Sequence, residues 1–523
     1  MTTWTIAVNW NRDGDFSDAN EDVTSLLISA TWVLGTQKPW QDIADNSVLK
    51  LTLNNADRRF SSENSSSPLS GMIVPQRPVR IQSNDGTTTR THWVGWIESI
   101  EPVVGRYGKR TVEIIAAGAM QFLKATETKL QLQENKKTSD IIAELIKEVV
   151  IPPALSQAWV LGRVGNSEVG ASTYLADTSA YSSLDTGTLT LAIAADNWVI
   201  DGTSDAKKQS FDVYRAIGDV TAAERGRFFF DREGKAVFWN RHKLLQGGTP
   251  AATFDDTMTE MVYSYAGMDH LKNEVIVVCH PRRQGASLTD TLWELGESVI
   301  NVAAGKTRKL YVQYEDDSGK RIGARNVAVD LPSLTFAQGT ATVTVEAKAN
   351  GAELVLVNSG TVDAVVTALK VVGRKIFDDG EIEASALDSG SIIDYGRRTL
   401  KLNLPSIDNV QQAQYIADFE RDRRKQPKGM VNAVTVKSHG RNGGTHHAQQ
   451  LALTIGSLVR VKETQTGHDA QYYVMGEAHE LTHGATLWKT TWYLEPAPTT
   501  AELPWKLDTV GRAELGTNTR LAY

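Results

Sequence analysis

The chain has 523 residues, of which 41% are hydrophobic and 22% charged, and its formal net charge is −7. These values are typical of a globular protein with room for three or four domains. The charge is spread along the chain without a basic stripe, which argues against a nucleic-acid-binding protein, but it suits a surface past which nucleic acid slides without adhering. The single cysteine, Cys279, excludes an internal disulfide framework and cysteine-rich zinc sites, and its apolar neighbours predict a buried thiol.

Neither a signal peptide nor a membrane span is predicted. The first residues after Met1 contain no cationic segment followed by an apolar one. No stretch of the chain approaches the roughly 20 apolar residues that cross a bilayer. We therefore expect the protein to be synthesised in a cytoplasm.

Residues 1–125 have the pattern of a β-barrel or sandwich. Leu49, Leu51 and Leu53 alternate with polar residues, as a half-buried strand requires. Clusters rich in Asn, Asp and Gly separate the predicted strands, which fall near 79–81, 93–100 and 112–115. Several short strands with regular turns indicate a closed or two-layered β domain.

Residues 126–250 have the pattern of an α+β domain. Apolar residues three or four positions apart follow Thr138-Ser139, which predicts a capped helix that stops before Pro152-Pro153. A second helix is predicted after Ser210, with its end at Gly226. A β-hairpin follows over 228–239, because Gly234 suits the left-handed position of a bulged turn.

The rest of the chain predicts three parts. Strand patterns over 291–390 indicate a small β-sandwich, inserted in a second barrel that takes in 251–290 and 391–497. The apolar strand 273–278 is assigned to that barrel, as is one helix predicted over 406–425. Residues 498–523 form a short polar tail that reaches a neighbouring subunit or is mobile.

A three-strand pattern occurs twice, near the two ends of the chain. From Arg80 to Lys109 and from Arg460 to Lys489 the spacing is 29 positions, and each copy has a turn after its first strand and a glycine in its second. The glycines, Gly95 and Gly476, fall 15 and 16 positions after the first arginine. The pattern predicts a duplicated β domain, which is a device of symmetric assemblies rather than of catalysis.

The loop after the first predicted strand has the spacing of a calcium site. Oxygen-bearing side chains alternate along it and a glycine permits a sharp turn, the candidate ligands being Asn9, Asn11, Asp13, Asp15 and Ser17, with Gly14 at the turn. The twelfth position is Asn20 instead of the usual glutamate, although Glu21 and Asp22 follow it. The alternative is a turn rich in Asn, Asp and Gly that binds no metal.

Other motifs favour no catalytic site. Ala304-Gly305-Lys306-Thr307 resembles half of a phosphate-binding loop, but Ile300 stands where the first glycine is needed. His446-His447 are expected in a solvated loop, and the acidic pairs have no spacing that brings two carboxylates into one cleft. The 13 tryptophans could line a sugar groove, but core and subunit-interface positions are favoured.

Several segments resemble phage minor tail proteins. They are 8–16 with 21–24, 51–61 with 75–80, 223–234, 391–398 and 515–521. The family has aspartates where this chain has Asn9 and Asn11, which weakens the transfer of any cation site.

The resemblance implies a mainly β tail-tip hub, also called a baseplate hub, with two tube-like barrels, an α+β middle region and an inserted sandwich. Such a hub is a homotrimer whose six barrels form a pseudo-sixfold ring between the hexameric tail tube and a threefold central fibre or spike. It closes the channel beneath the tape-measure protein and opens after receptor binding. The expected location is the tail tip of the virion, after synthesis in the host cytoplasm.

The interpretation is a structural protein without enzymatic activity. It requires no cofactor, calcium being the one candidate, and its expected partners are the distal tail or tail tube protein, the tape-measure protein and the fibre or spike. DNA would pass through the lumen without specific binding. Two alternatives stay open, a glycan-binding tail adhesin and a tail-associated cell-wall hydrolase.

Overall fold

The structure is a computed structural model that describes residues 2–13, 15–103, 110–128, 130–149, 163–164, 173–174, 182–194, 211–265, 270–440 and 444–498. Strands dominate these ranges, so the prediction of a mainly β protein is confirmed. No helix within them is long and apolar enough to cross a membrane. Gly14, Pro152-Pro153 and all but the first residue of the predicted tail 498–523 lie outside the described residues.

Six strands near the start of the chain form the first part of a 12-stranded sheet. They are β1 (Thr3–Val8), β2 (Leu27–Gly35), β3 (Val48–Asn54), β4 (Pro78–Asn84), β5 (Thr89–Pro102) and β6 (Thr111–Ala117), with a 3-10 helix at Thr24–Leu26. Their order across the sheet is β1-β4-β5-β6-β3-β2, with every neighbouring pair antiparallel. The alternating Leu49, Leu51 and Leu53 are fully buried, as their pattern predicted.

In its described residues, the middle region combines short strands with three helices. Its elements are α1 (Met120–Ala125), β7 (Gln133–Lys137), α2 (Thr138–Glu148), β8 (Arg163–Val164), β9 (Thr173–Tyr174), β10 (Ser182–Leu184), β11 (Thr190–Ala194), α3 (Val213–Glu224), β12 (Arg227–Phe230) and β13 (Ala236–Trp239). The predicted hairpin is confirmed, because β12 and β13 pair and Gly234 has a φ of 77°. A 3-10 helix, Lys243–Leu245, follows it.

The start of α2 differs from the prediction. The helix begins at Thr138 itself, and Lys137 occupies the N-cap position without a side-chain hydrogen bond. The Thr138 hydroxyl donates instead to the carboxylate of Glu224 in α3, at 2.9 Å. The Thr138 hydroxyl, which the sequence pattern assigned to a local N-cap, therefore binds a residue that is distant in the sequence.

The segment from 251 to 429 starts with two strands that return to the large sheet and continues into a separate region. Its elements are β14 (Ala252–Phe254), β15 (Glu260–Ser264), β16 (Glu274–Cys279), β17 (Arg282–Gln284), β18 (Asp290–Glu294), β19 (Ile300–Val302), β20 (Thr307–Gln313), β21 (Gly323–Val329), β22 (Thr335–Gln338), β23 (Thr342–Ala347), β24 (Gly351–Val357), β25 (Ala364–Ala368), β26 (Lys370–Asp378), β27 (Ile382–Leu387), α4 (Ser389–Tyr395), β28 (Thr399–Asn403) and α5 (Val410–Arg424), with a 3-10 helix at Leu331–Ser333.

The assignment of strand 273–278 to the second barrel was wrong. The strand is β16, and it lies between β27 and β28 in a separate three-stranded sheet, with Cys279 buried at its end. Helix α5 packs on β16 and β27. An apolar run shows that a strand is buried, but it does not show which sheet contains it.

Helix α5 begins later than predicted, at Val410 instead of near 406. The Asn409 side chain accepts hydrogen bonds from the backbone N–H groups of Gln411 and Gln412, which is a typical N-cap. Three small sheets precede it, ordered β17-β26-β18 with β21 on β26, β19-β25-β22 and β20-β24-β23, and they share one core. Gly305 lies in a turn that leads directly into β20 and no helix follows, so the phosphate-loop resemblance is superficial.

The chain then completes the large sheet. Its last elements are β29 (Met430–His439), α6 (Thr445–Ala452), β30 (Leu458–Glu463), β31 (His468–Thr482) and β32 (Leu487–Pro496). His446 and His447 lie in α6 rather than in the predicted loop, and the His447 ring is buried with Nε2 2.8 Å from the Thr2 hydroxyl.

The large sheet contains the same six-strand arrangement twice. We call β1–β6 the first strand unit, and β14, β15 and β29–β32 the second strand unit. The order of the second is β14-β30-β31-β32-β29-β15, and with strands numbered by chain order within each unit both read 1-4-5-6-3-2. The units differ at one edge, since β14 is parallel to β30 whereas β1 is antiparallel to β4.

Bulges align the two strand units residue by residue. In the first, Ser99, Ile115, Lys50 and Thr31 lie opposite one another in a row across β5, β6, β3 and β2, directly after the bulge in β5. In the second, the row after the corresponding bulge is Gly476, Tyr493, Ala433 and Val262. The repeat therefore holds strand by strand, but Gly95, which lies opposite Val79 in β4, is not the counterpart of Gly476.

Candidate functional site: the junction of the two strand units

The two strand units meet edge to edge. Strand β2 of the first pairs antiparallel with β31 of the second over seven residue pairs, from Ser29 opposite Thr482 to Gly35 opposite Gly476. Glycine is required at the end of this contact because Gly35 has a φ of 71° and a Cβ on Gly476 would overlap the Thr36 carbonyl oxygen. The junction therefore makes one continuous sheet from two units.

An aromatic cluster fills the core beneath the junction. Trp32 of β2 stacks on His479 of β31, with ring centroids 4.8 Å apart and planes at 16°. Trp4 of β1 meets Trp488 of β32 edge-on at 4.8 Å, and its indole N–H donates to the Gly440 carbonyl at 2.7 Å. These contacts join side chains from both units in one core, so the units cannot separate without exposing several large rings.

Two histidines in this cluster are buried and neutral. His92 Nε2 lies 2.7 Å from the Ser83 hydroxyl, and burial followed by the nearby Arg232 holds the pKa of His92 well below its usual range. The Trp488 indole N–H donates to His479 Nδ1 at 3.2 Å, so the ring proton of His479 sits on Nε2. Burial likewise lowers the pKa of His479.

The middle region inserts a charge into the junction. Arg232, in the turn between β12 and β13, donates through Nε and Nη2 to the two carboxylate oxygens of Glu477, both at 2.6 Å, and through Nη2 to the Leu453 carbonyl at 2.8 Å. Burial by itself raises the pKa of Glu477, but the attraction of Arg232 outweighs it and the pKa lies far below its usual range. The hairpin is therefore locked to the second strand unit by a buried bidentate ion pair.

A second buried network ties the helices to both strand units. Arg225 Nη2 lies 2.9 Å from Glu420 of α5, and Arg227 Nη2 lies 3.0 Å from Glu495 of β32. Asp42, from the loop between β2 and β3, bridges the two arginines at 3.0 and 3.1 Å. Burial raises the pKa of Glu495, but Arg227 and then Arg423 lower it to about 2.

The candidate calcium ligands lie together in the loop after β1. Their oxygens accept hydrogen bonds from the loop's own N–H groups: Asn9 Oδ1 from Arg12 at 2.6 Å, Asp13 Oδ1 from Asp15 at 2.8 Å, and Asp15 Oδ1 from Ser17 at 3.0 Å. The described residues contain no group of three or more His, Cys, Asp or Glu side chains placed to hold a metal ion. The calcium site stays a prediction.

Glu21, which follows the twelfth position of the candidate calcium loop, anchors this loop through hydrogen bonds. Its carboxylate accepts the backbone N–H groups of Trp10 at 3.1 Å and Asp18 at 3.3 Å. Burial raises the pKa of Glu21 to about 7. The sequence around Glu21 did not indicate this anchoring role, because its carboxylate becomes buried only when the loop folds.

The sequence matches no protein-family model and no curated protein. Among solved structures, the chain is similar to a tail protein from Neisseria meningitidis, with 10% identity, a TM-score of 0.44 and coverage of 94% of this chain and 96% of that one. It is also similar to a 43 kDa prophage tail protein from Shewanella oneidensis, with 10% identity, a TM-score of 0.43 and coverage of 94% and 98%.

A third similar structure is a component of the type VI secretion system of Escherichia coli, itself described as similar to bacteriophage T4 tail proteins. The identity is 7%, the TM-score 0.32, and the coverage 92% of this chain and 77% of that one. Two of these three similar structures are thus tail proteins, and the third is described as similar to T4 tail proteins.

Proposed function

We propose that the protein is a structural, non-enzymatic hub of a phage tail tip. Three copies would form a ring in which six strand units face the hexameric tail tube, while the threefold face receives a central fibre or spike. The tape-measure protein would end at this ring, and DNA would pass through its lumen without specific binding. Opening of the channel would follow receptor binding at the tip.

The observation that carries the proposal is the duplicated six-strand order. A ring of three identical chains has threefold symmetry, but two copies of the same unit in each chain give six similar units around the axis. A trimer of this chain would thus have six similar units for a sixfold partner and exact threefold symmetry for a threefold partner. The sequence resemblance to minor tail proteins, which also includes segments outside the strand units such as 223–234 and 391–398, supports the same function.

The junction suits this role because it makes the pair of units rigid. The aromatic core, the Arg232–Glu477 pair and the network around Asp42 fix the two units and the middle region to one another. We also propose that two tube-like barrels line the channel, and that the middle region and the inserted sandwich lie outside it as docking surfaces.

The test is the mass of the full chain in solution, combined with electron micrographs of the particle. The expected result is a trimer whose end views show six similar densities around a pore. A protein that stays monomeric at every concentration, with no ring in the images, would contradict the proposal.

A further inference from the structure

A cavity of about 770 Å³ opens beside the end of α5. Helix α5 and the loop after it form one side, and the start of β31 and the end of β32 form the other. Its described lining combines aromatic, cationic and apolar side chains, among them Trp40, Phe419, Arg423, Arg424, Lys428 and Tyr472. Ligand sites have volumes of roughly 300–1,000 Å³ and largely apolar walls with a few polar groups. The cavity is therefore a candidate binding site that the hub proposal does not use.

Two buried donors in the cavity wall have no hydrogen-bond acceptor within the described part of the chain. They are the indole N–H of Trp40 and the Nε–H of Arg424. The Trp40 ring is covered by guanidinium groups, since that of Arg424 lies 4.4 Å from its centroid and that of Arg423 lies 5.4 Å away. Its backbone is strained, with a φ of 61° that is rare for a bulky residue. Because buried donors normally have acceptors, the occupant of the cavity should supply carbonyl or carboxylate oxygens.

The chain itself leads into this cavity. Beyond β32 the Ala497 N–H donates to the Gln471 carbonyl at 3.0 Å, so the chain still lies against β31 at this point. Ala497 and Pro498 are part of the cavity wall. Residues 499–523 follow them and lie outside the described residues. The next residues of the chain therefore start at the rim of the cavity.

The sequence just after the rim has the chemistry that the cavity lacks. Leu503, Trp505 and Leu507 stand at alternate positions, which gives an extended segment one apolar face. Trp505 is seven residues beyond Pro498, a reach of at most about 25 Å, so its ring can return to the cavity. Glu502, next to this apolar run, brings a carboxylate towards a wall that contains several cations.

We propose that segment 499–507 of the same chain occupies this cavity, with the Trp505 ring against its aromatic wall. The carbonyls of the segment supply acceptors for the donors of Trp40 and Arg424, and the contact ties α5 to the second strand unit. The chain's own segment is favoured over a separate partner because attachment at the rim gives it an effective concentration on the order of millimolar. The inference is independent of the proposed hub and of the number of copies in it.

The experiment is thiol labelling of the full chain carrying Gln471→Cys, at an exposed position of the cavity wall. The background is low because the only native cysteine, Cys279, is buried. The control is Gln465→Cys, which is exposed in the turn between β30 and β31 and does not line the cavity. At a millimolar effective concentration, an intrinsic Kd of about 0.1 mM leaves roughly one cavity in ten open, so labelling at position 471 should be about tenfold slower than at position 465.

A second substitution tests whether segment 499–507 is the shield. Trp505→Ala combined with Gln471→Cys should raise the labelling rate nearly to that of the control position, whereas combined with Gln465→Cys it should change nothing. A peptide of residues 499–507, added at millimolar concentration to the Trp505→Ala chain, should slow labelling at position 471 again. Leu521→Ala, which lies beyond the segment, is the matched control and should leave both rates unchanged.

Each outcome decides the inference without deciding the proposed function. A thiol at position 471 that reacts as fast as one at position 465 overturns the inference, and so does a rate that Trp505→Ala does not raise. Shielding that disappears on dilution assigns the segment to the cavity of another copy and overturns the intrachain contact. Shielding that is independent of protein concentration, and that the peptide restores, supports it.

Discussion

The two strand units have the same strand order but different surroundings. The first runs without interruption from β1 to β6, and its open edge β2 is covered by β31 of the same chain. The second is interrupted between β15 and β29 by the elements from β16 to α5, and within the described residues its edge strand β15 pairs with β29 alone. The comparison teaches that a long insertion is tolerated directly after an edge strand, because an edge strand has backbone hydrogen bonds to one neighbour only.

The largest expected effect comes from breaking the ion pair that locks the hairpin into the junction. Glu477→Leu leaves the buried Arg232 without its bidentate partner, and we expect a loss of about 3 to 5 kcal/mol in the free energy of unfolding. The measurement is urea unfolding followed by tryptophan fluorescence. Glu480→Gln, at an exposed position on the same strand, is the control and should change little.

The matching double variant sharpens this result. Arg232→Met combined with Glu477→Leu removes both charges, so much of the lost stability should return. If the double variant were as unstable as the sum of the single variants, the ion pair would not be the cause.

Equivalent residues of the two units should respond differently. Leu34→Ala removes a buried side chain at the covered edge and should cost about 2 to 5 kcal/mol in the separate chain. Tyr265 lies three residues after Val262, as Leu34 lies three residues after Thr31, so the two positions correspond. Tyr265→Ala removes a ring that is 73% exposed and should leave the stability almost unchanged. Urea unfolding of both variants tests this, and equal losses of stability would contradict the prediction.

The junction should weaken in acid. The pKa values of His92 and His479 are lowered in the folded chain, so below their ordinary value near 6.5 the unfolded chain binds more protons and stability falls as the pH falls. Each histidine contributes a slope of up to about 1.4 kcal/mol per pH unit. Glu477 and Glu495, whose pKa values are lowered by their arginines, add a further loss below about pH 4.5.

Urea midpoints measured between about pH 7 and 5 test the histidine contribution, since Glu477 and Glu495 stay ionised in both states there. Glu21, whose folded pKa is raised to about 7, adds stability as the pH falls through this range, and it is present in both chains that are compared. The variant His92→Gln with His479→Gln should show a flatter dependence. A slope as steep as that of the unchanged chain would assign the effect to other groups.

The smallest expected effect concerns the loop after β1. If it binds calcium, the ion at ten times its dissociation constant stabilises the chain by about 1.4 kcal/mol, seen as a rise in the melting temperature. Asp13→Ala with Asp15→Ala should abolish the rise, whereas Asp22→Ala, just outside the candidate ligands, should preserve it. A melting temperature that does not respond to millimolar calcium in the unchanged chain would remove the prediction.

The sequence predicted the local elements of both units well. Alternation identified the buried face of β3, and the turn residues identified the hairpin around Gly234, because both signals depend on a few neighbouring positions. Errors arose where a distant group competed with a local one. Thr138 does not cap its helix because its hydroxyl binds Glu224. Strand β16 lies in a different sheet from the one predicted, because an apolar pattern predicts burial but not the neighbouring strand.

By itself, the sequence determined that the protein is mainly β and that a three-strand pattern recurs near its two ends. Only the tertiary structure decided that the repeat comprises six strands, that β2 and β31 join the units, and that Arg232 pairs with Glu477. The physical reason is that side-chain periodicity fixes which face of a strand is buried. Which edges pair depends on contacts between residues hundreds of positions apart, which no local pattern encodes.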